Sequence, residues 1–222
     1  MNALSYRLPG WLLVVGLIPS VHSSAATPAS TAAPAVPCVV SRTELKAHDL
    51  ADIFLQHKGE VELRGALVGC LKLENGMELP ALLLALPPFE SSYAIRLSAP
   101  TKNGAYVQPR VEMLDAQYST ARSFGAERVK RRAQEVSLEI FMDQPNAAER
   151  FLLLYPDPEH LGEKAQQTTS QTNATFVGTG FWISGSDKTT SLESTTEGKL
   201  TVQLVGDQWD KALKAAQSSS RH

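Results

Sequence analysis

Apolar and polar residues alternate along four stretches of the chain, a pattern typical of strands with one face on a core and the other in water. These stretches are residues 93–98, 110–113, 136–142 and 200–204. A further strand is predicted from Val61 to about Leu73, and residues 151–155 and 176–183 are apolar on both faces. We therefore predict a mainly β fold, an antiparallel β-sandwich of about seven or eight strands over residues 60–206.

Helical patterns flank the predicted sandwich on both sides. Ser41 and Glu44 fit a capping box, apolar residues follow at helical spacing, and Gly59 is a stop signal. These features predict an N-terminal helix in residues 41–59. In residues 207–222, an aspartate can cap a short C-terminal helix that ends in a frayed tail.

The N-terminus has the order of a secretory signal peptide. Arg7 precedes an apolar run at 11–18, Pro19 ends the run, and small residues follow as far as Ala26. The run is shorter than the roughly 20 residues that a spanning helix needs. We predict a cleaved signal peptide in residues 1–26 and an exported mature protein with no transmembrane segment. The alternative is a buried N-terminal helix.

Residues 27–40 form an Ala- and Pro-rich tether, which cannot bury enough surface to order itself. The tether contains Cys38, and Cys70 is the only other cysteine of the chain. An exported protein meets an oxidising environment, so we predict a disulfide between the two. Two alternatives compete: both thiols stay reduced and buried, or Cys38 carries a lipid anchor.

Composition and motif searches exclude several classes of function. A formal charge of -2, from 21 basic and 23 acidic residues, provides no general attraction to nucleic acid. Two cysteines are too few for a Cys-rich zinc site. The sequence contains neither a His-Glu-x-x-His zinc motif nor a Gly-x-Ser-x-Gly nucleophile motif. We predict a non-catalytic protein without a metal or cofactor.

Two surface features are candidates for recognition. Tyr155 and Trp182 each end an apolar strand near a turn, and the apolar faces of sugar rings stack on such aromatics. We predict that these two residues bind carbohydrate; the alternative is that they fill the core. A basic cluster between Arg122 and Arg132 is the second feature. It could meet the phosphates of envelope lipids, although a solvated connection is the simpler interpretation.

An ordered set of segments resembles the MalM family, the periplasmic proteins encoded in maltose operons. The set comprises Leu79-Pro80, Phe89, residues 93–98, 107–115, Phe124, residues 149–155, Gly178, Gly180 and residues 198–202. The resemblance implies a periplasmic protein associated with the transport of maltose and maltodextrin, a carbohydrate, with no established enzymatic activity. It implies maltodextrin or a maltose-uptake component of the envelope as partner. The alternative is a structural or interaction protein of the cell envelope without affinity for sugar.

Overall fold

The computed structural model describes residues 37–219 except 102–103, 133 and 178–179. The predicted signal peptide and most of the predicted tether lie outside the described residues. All described residues belong to one unit, Val36–His222. Its described helices are all too short or too polar to cross a membrane.

The strands with the highest content of apolar residues lie in the largest sheet. Its six strands are β1 (Ala47–Asp49), β3 (Gly69–Lys72), β4 (Glu78–Ala85), β7 (Pro109–Leu114), β8 (Thr120–Phe124) and β11 (Phe151–Pro156). Their order is β1-β4-β11-β7-β8, and β3 pairs with the first half of β4. β1 runs parallel to β4, and the other pairs are antiparallel.

The second sheet is antiparallel and consists of five strands. They are β2 (Glu60–Glu62), β5 (Tyr93–Pro100), β9 (Lys130–Arg132), β10 (Glu135–Met142) and β14 (Lys199–Val205), in the order β2-β14-β5-β10-β9. The predicted alternation is present: in β10, Ile140 and Met142 are buried whereas Phe141 is 63% exposed. The predicted single strand from Val61 to Leu73 is wrong, because β2 and β3 lie in different sheets.

A long hairpin forms most of the third sheet. It consists of β12 (Lys164–Val177) and β13 (Gly180–Ser194), and the short strand β6 (Ala105–Tyr106) runs parallel to the end of β13. Val177 pairs with Gly180, so the described residues of 176–183 belong to two antiparallel strands. The prediction that this segment is a single strand is wrong. Its two apolar stretches belong to opposite arms of the hairpin.

The N-terminal helix is shorter than predicted. Residues 41–59 contain a 3-10 turn (Arg42–Glu44), then β1, then α1 (Leu50–His57). The cap of α1 is Asp49, whose carboxylate accepts hydrogen bonds from the amides of the second and third residues after it. Ser41 caps only the 3-10 turn. A helix through all of these residues would remove β1 from the edge of the largest sheet.

The backbone at the end of α1 explains why its predicted stop signal, residue 59, is a glycine. Lys58 and Gly59 both adopt positive φ, at 54° and 73°. A Cβ on Gly59 would lie 1.9 Å from the carbonyl oxygen of Val202 in β14. Only glycine therefore fits there. The predicted C-terminal helix is present as α2 (Asp207–Ser219), and Trp209 packs edge-on against Tyr93 of β5.

Apolar side chains form two clusters on opposite faces of β4. Leu82 and Leu84 join the larger cluster, which also contains the buried residues of β5, β10 and β14. Leu79 and Leu83 join the smaller cluster, together with Leu45 from the segment between the 3-10 turn and β1. A mainly β fold is confirmed. The described residues form fourteen strands rather than seven or eight, because short edge strands and a polar hairpin lack the alternating pattern.

The predicted disulfide fastens the N-terminal segment to the largest sheet. Cys38 and Cys70 are bonded, with their Cα atoms 4.3 Å apart. Beside the bond, the Val39 amide donates to the Cys70 carbonyl at 2.9 Å, and the Lys72 amide donates to the Val39 carbonyl at 2.8 Å. A disulfide in this position fits an oxidising compartment.

We expect reduction of this disulfide to destabilise the fold. The two cysteines are separated by 32 positions, for which the chain-entropy relation gives a loss on the order of 3–4 kcal/mol in the free energy of unfolding. Urea unfolding of the protein with and without dithiothreitol, followed by circular dichroism, measures this loss. The double variant Cys38→Ser/Cys70→Ser controls for effects of the reductant. Equal stability of the oxidised and reduced forms would contradict the assignment.

Candidate functional site

A cleft of about 220 Å³ lies where the base of the β12–β13 hairpin meets β6, β9 and β10. Its lining combines an apolar floor, one aromatic ring and a polar rim. The residues are Thr101, Tyr106, Arg131, Arg132, Val136, Ala165, Gln166, Gln167, Thr168 and Leu192. Apolar and aromatic groups with several convergent polar groups beside them are typical of sites for small polar ligands.

Tyr106 is the central residue of the cleft. Its strand is held by backbone hydrogen bonds from the Glu193 amide to the Gly104 carbonyl at 2.7 Å and from the Thr195 amide to the Tyr106 carbonyl at 2.9 Å. The side chain is only 2% exposed. Burial raises the pKa of the Tyr106 phenol, so the hydroxyl stays protonated and able to donate across the physiological range.

Buried polar groups without partners concentrate around this residue. Among the described residues, six buried side-chain nitrogen or oxygen atoms have no hydrogen-bond partner, and two of them, the Tyr106 hydroxyl and the Gln167 amide nitrogen, belong to residues that line the cleft. Two more belong to neighbours that do not line it: Ser194, which pairs with Tyr106 in the sheet, and Gln108, which accepts a hydrogen bond from Arg131. Each such group costs about 1–3 kcal/mol when it is left without a partner. A hydroxyl-rich ligand could supply the missing partners.

Arg131 places a positive charge beside this ring. Its guanidinium carbon lies 5.3 Å from the centroid of the Tyr106 ring, within the range of a cation–π contact. One of its nitrogens donates to the side-chain carbonyl of Gln108 at 3.1 Å, and Glu163 lies 3.8 Å away. The arginine is thus held by one neutral and one acidic neighbour and remains 40% exposed at the cleft.

The basic cluster predicted between Arg122 and Arg132 divides into two parts. Arg131 and Arg132 line the cleft, whereas Arg122 forms two hydrogen bonds, of 2.6 and 2.7 Å, with the carboxylate of Glu149. The Glu149 side chain is 4% exposed. Arg122 therefore neutralises a buried charge and does not belong to an open basic surface.

The two residues predicted to bind carbohydrate lie in different sheets, Tyr155 in β11 and Trp182 in β13. Tyr155 is 5% exposed and belongs to the smaller apolar cluster, where its hydroxyl donates to Glu112. Burial, reinforced by this carboxylate, raises the pKa of the Tyr155 phenol. Its ring is enclosed, which argues against a stacking platform there. The Trp182 backbone lies in β13 opposite Thr175, but its side chain lies outside the described residues.

A second polar cluster lies at the 3-10 turn that follows β11. Ligand atoms of Asp157, Glu159 and His160 lie within 4.8 Å of one another. Asp157 caps the 3-10 turn Pro158–His160, accepting from the Glu159 amide, and contacts the His160 ring at 3.0 Å. The Arg110 guanidinium lies 3.4 Å from the Asp157 carboxylate, and its positive charge balances that carboxylate. This cluster has a structural role.

The cleft is formed by residues that the sequence did not identify as a site. Tyr106 is one of several aromatics near predicted strands, and nothing local distinguishes it from the others. The polar segment before Phe176 shows no strand pattern, so the approach of Gln167 to Tyr106 could not be foreseen. Only long-range pairing through β13 brings these residues together.

Comparison of the chain with protein-family models, with curated proteins and with solved structures finds no match in any of the three.

Replacement of Arg122 should be far more costly than replacement of an exposed arginine. We expect Arg122→Met to lower the free energy of unfolding by about 2–3 kcal/mol, because Glu149 would remain buried without its partner. Arg132→Met is the matched control, and we expect a change below about 0.5 kcal/mol. Urea unfolding measures both, and equal losses would contradict the assigned role of Arg122.

Proposed function

We propose that this chain is a non-catalytic periplasmic accessory protein of maltose and maltodextrin transport that binds oligosaccharide weakly in the Tyr106 cleft. Three features support the proposal: the resemblance to the MalM family, the signal-peptide pattern at the N-terminus and a disulfide that suits an oxidising compartment. The periplasmic location and the link to maltose rest on the sequence.

The observation that carries the proposal is the set of buried polar groups without partners around Tyr106. A sugar offers hydroxyls that both donate and accept, and it offers apolar CH faces for the ring and for the floor of the cleft. The cleft, at about 220 Å³, is smaller than the roughly 300–1,000 Å³ of typical small-molecule sites. It suits a single sugar unit of a longer chain, and so weak binding.

We also propose that the two larger sheets are the layers of a β-sandwich. The larger apolar cluster supports this arrangement, because it combines Leu82 and Leu152 of one sheet with Ile95, Leu138 and Val202 of the other. Two sheets that share one apolar core satisfy the packing rule for sandwiches. The sandwich would hold β10 and β6 in place as walls of the cleft.

A second candidate function is interaction with the cell envelope without affinity for sugar. The observation that favours it is the exposure of every residue of β9, Lys130–Arg132. Three consecutive cations on an edge strand could contact anionic lipid headgroups at about 1 kcal/mol per residue.

Calorimetric titration with maltoheptaose at millimolar concentration tests the first function. We expect weak saturable binding by the wild type and at least a fivefold lower affinity for Tyr106→Phe, which loses only the hydroxyl. Tyr93→Phe is the matched control: Tyr93 is also buried, and its hydroxyl also lacks a partner, but it does not line the cleft. Its affinity should equal that of the wild type.

Separate measurements distinguish sugar binding from interaction with the envelope and from catalysis. If maltoheptaose produces neither heat nor a change in melting temperature, the sugar-binding function should be abandoned. Co-sedimentation with anionic vesicles, lost in a Lys130→Gln/Arg131→Gln/Arg132→Gln variant, would then favour interaction with the envelope. Release of reducing ends from maltodextrin by the pure protein would contradict a non-catalytic role.

A further inference from the structure

The β12–β13 hairpin is a two-stranded ribbon with long unpaired edges. Among the described strands, β12 pairs only with β13, and β13 pairs elsewhere only at Glu193 and Ser194, which lie beside β6. The described strands therefore leave both edges open over most of the hairpin. A ribbon of two strands is marginally stable in water on its own, and exposed edges are templates for another strand.

Backbone hydrogen bonds at the base of the hairpin establish which amides face outward. There the Ser194 amide donates to the Glu163 carbonyl at 3.0 Å and the Gly162 amide donates to the Ser194 carbonyl at 2.9 Å, so both backbone groups of Ser194 face the other strand. Hydrogen-bonded and non-hydrogen-bonded pairs alternate along antiparallel strands. The register Ser170↔Asp187 then belongs to the second kind, and the Ser170 amide points outward. On the other strand the Glu193 amide likewise points outward, where it donates to Gly104.

The β12 and β13 edges differ in how well they are protected against pairing with another strand. Proteins usually guard an open edge with charged residues, prolines or bulges. β13 carries Asp187 and Lys188 near its centre, whereas residues 165–177 of β12 contain neither a charge nor a proline. The β12 edge is thus long, neutral and unguarded, and it is the edge on which another strand can be added.

We propose that the β12 edge is an interface for a second copy of this chain, which pairs antiparallel with it across a two-fold axis to form a four-stranded ribbon. A two-fold pairing places β12 against itself, so its charges must be compatible with themselves. The neutral stretch 165–177 meets this condition. Self-pairing of β13 centred on Asp187 would place two carboxylates directly opposite each other, which is unfavourable.

Every second residue pair in such an interface exchanges two backbone hydrogen bonds. The affinity comes from these backbone bonds, since the residues of β12 are mostly small, polar and uncharged. The inference is tested separately from the proposed carbohydrate function, because Ser170 and Thr172, which report on the interface, do not line the cleft.

Sedimentation velocity from micromolar to submillimolar concentration tests the interface on the mature protein. We expect reversible dimerisation of the wild type. Ser170→Pro removes one outward amide per copy and no bond within the hairpin, so we expect the dimer to dissociate at least about tenfold more readily. Thr189→Pro is the matched control: it removes an outward amide from the β13 edge, and its dimer should be as stable as that of the wild type.

Amide hydrogen exchange of the wild type gives a readout that requires no variant. On concentration, the outward amides of Ser170 and Thr172 should gain protection, whereas those of Thr169 and Gln171, which face β13, should be unchanged. A monomer at every concentration would overturn the proposal. Equal dissociation of Ser170→Pro and Thr189→Pro would also overturn it, as would unchanged exchange at Ser170 and Thr172.

Discussion

Both faces of the largest sheet are apolar, and the rest of the structure depends on covering both of them. In β11, Leu152 and Leu154 join the larger cluster, whereas Leu153 and Tyr155 join the smaller one. One face contacts the side chains of the second sheet. The other is covered by the N-terminal segment, which contributes Val39 and Leu45 to the smaller cluster. The disulfide at Cys38 and the short parallel strand β1 fix that segment to the sheet.

Folding buries polar side chains in two places, and these places differ in whether the polar groups have hydrogen-bond partners. Under the N-terminal segment, Glu112 is buried but fully engaged: Arg42 and Thr120 each contact its carboxylate at 2.7 Å, and the Tyr155 hydroxyl donates to it. At the base of the hairpin, Tyr106 and Gln167 are left without partners. A satisfied network stabilises the fold, whereas unsatisfied donors beside a cleft are available for a ligand. This difference is the reason for placing the site at Tyr106 and not at Tyr155.

The sequence predicted elements whose pattern is local and missed those that depend on distant partners. The alternation in 136–142 predicted β10, and Asp207 predicted the start of α2. The predicted helix in residues 41–59 was too long because helical spacing also fits Leu45, which packs against the sheet instead. The arms of the hairpin escaped prediction because a strand exposed on both faces has no period. The cleft escaped because its walls come from β6, β9, β10 and β12, which meet only in the folded chain.

The claim that buried, unpartnered polar groups at Tyr106 mark a carbohydrate site is tested most directly by mapping the contact itself. Backbone amide shifts of the isotopically labelled protein, recorded during a titration with maltotriose, report which residues meet the sugar. The account predicts that the shifts concentrate at Tyr106, Gln108, Arg131 and Gln167 and saturate together. Shifts confined to the neighbourhood of Trp182, or no shifts at millimolar sugar, would contradict it.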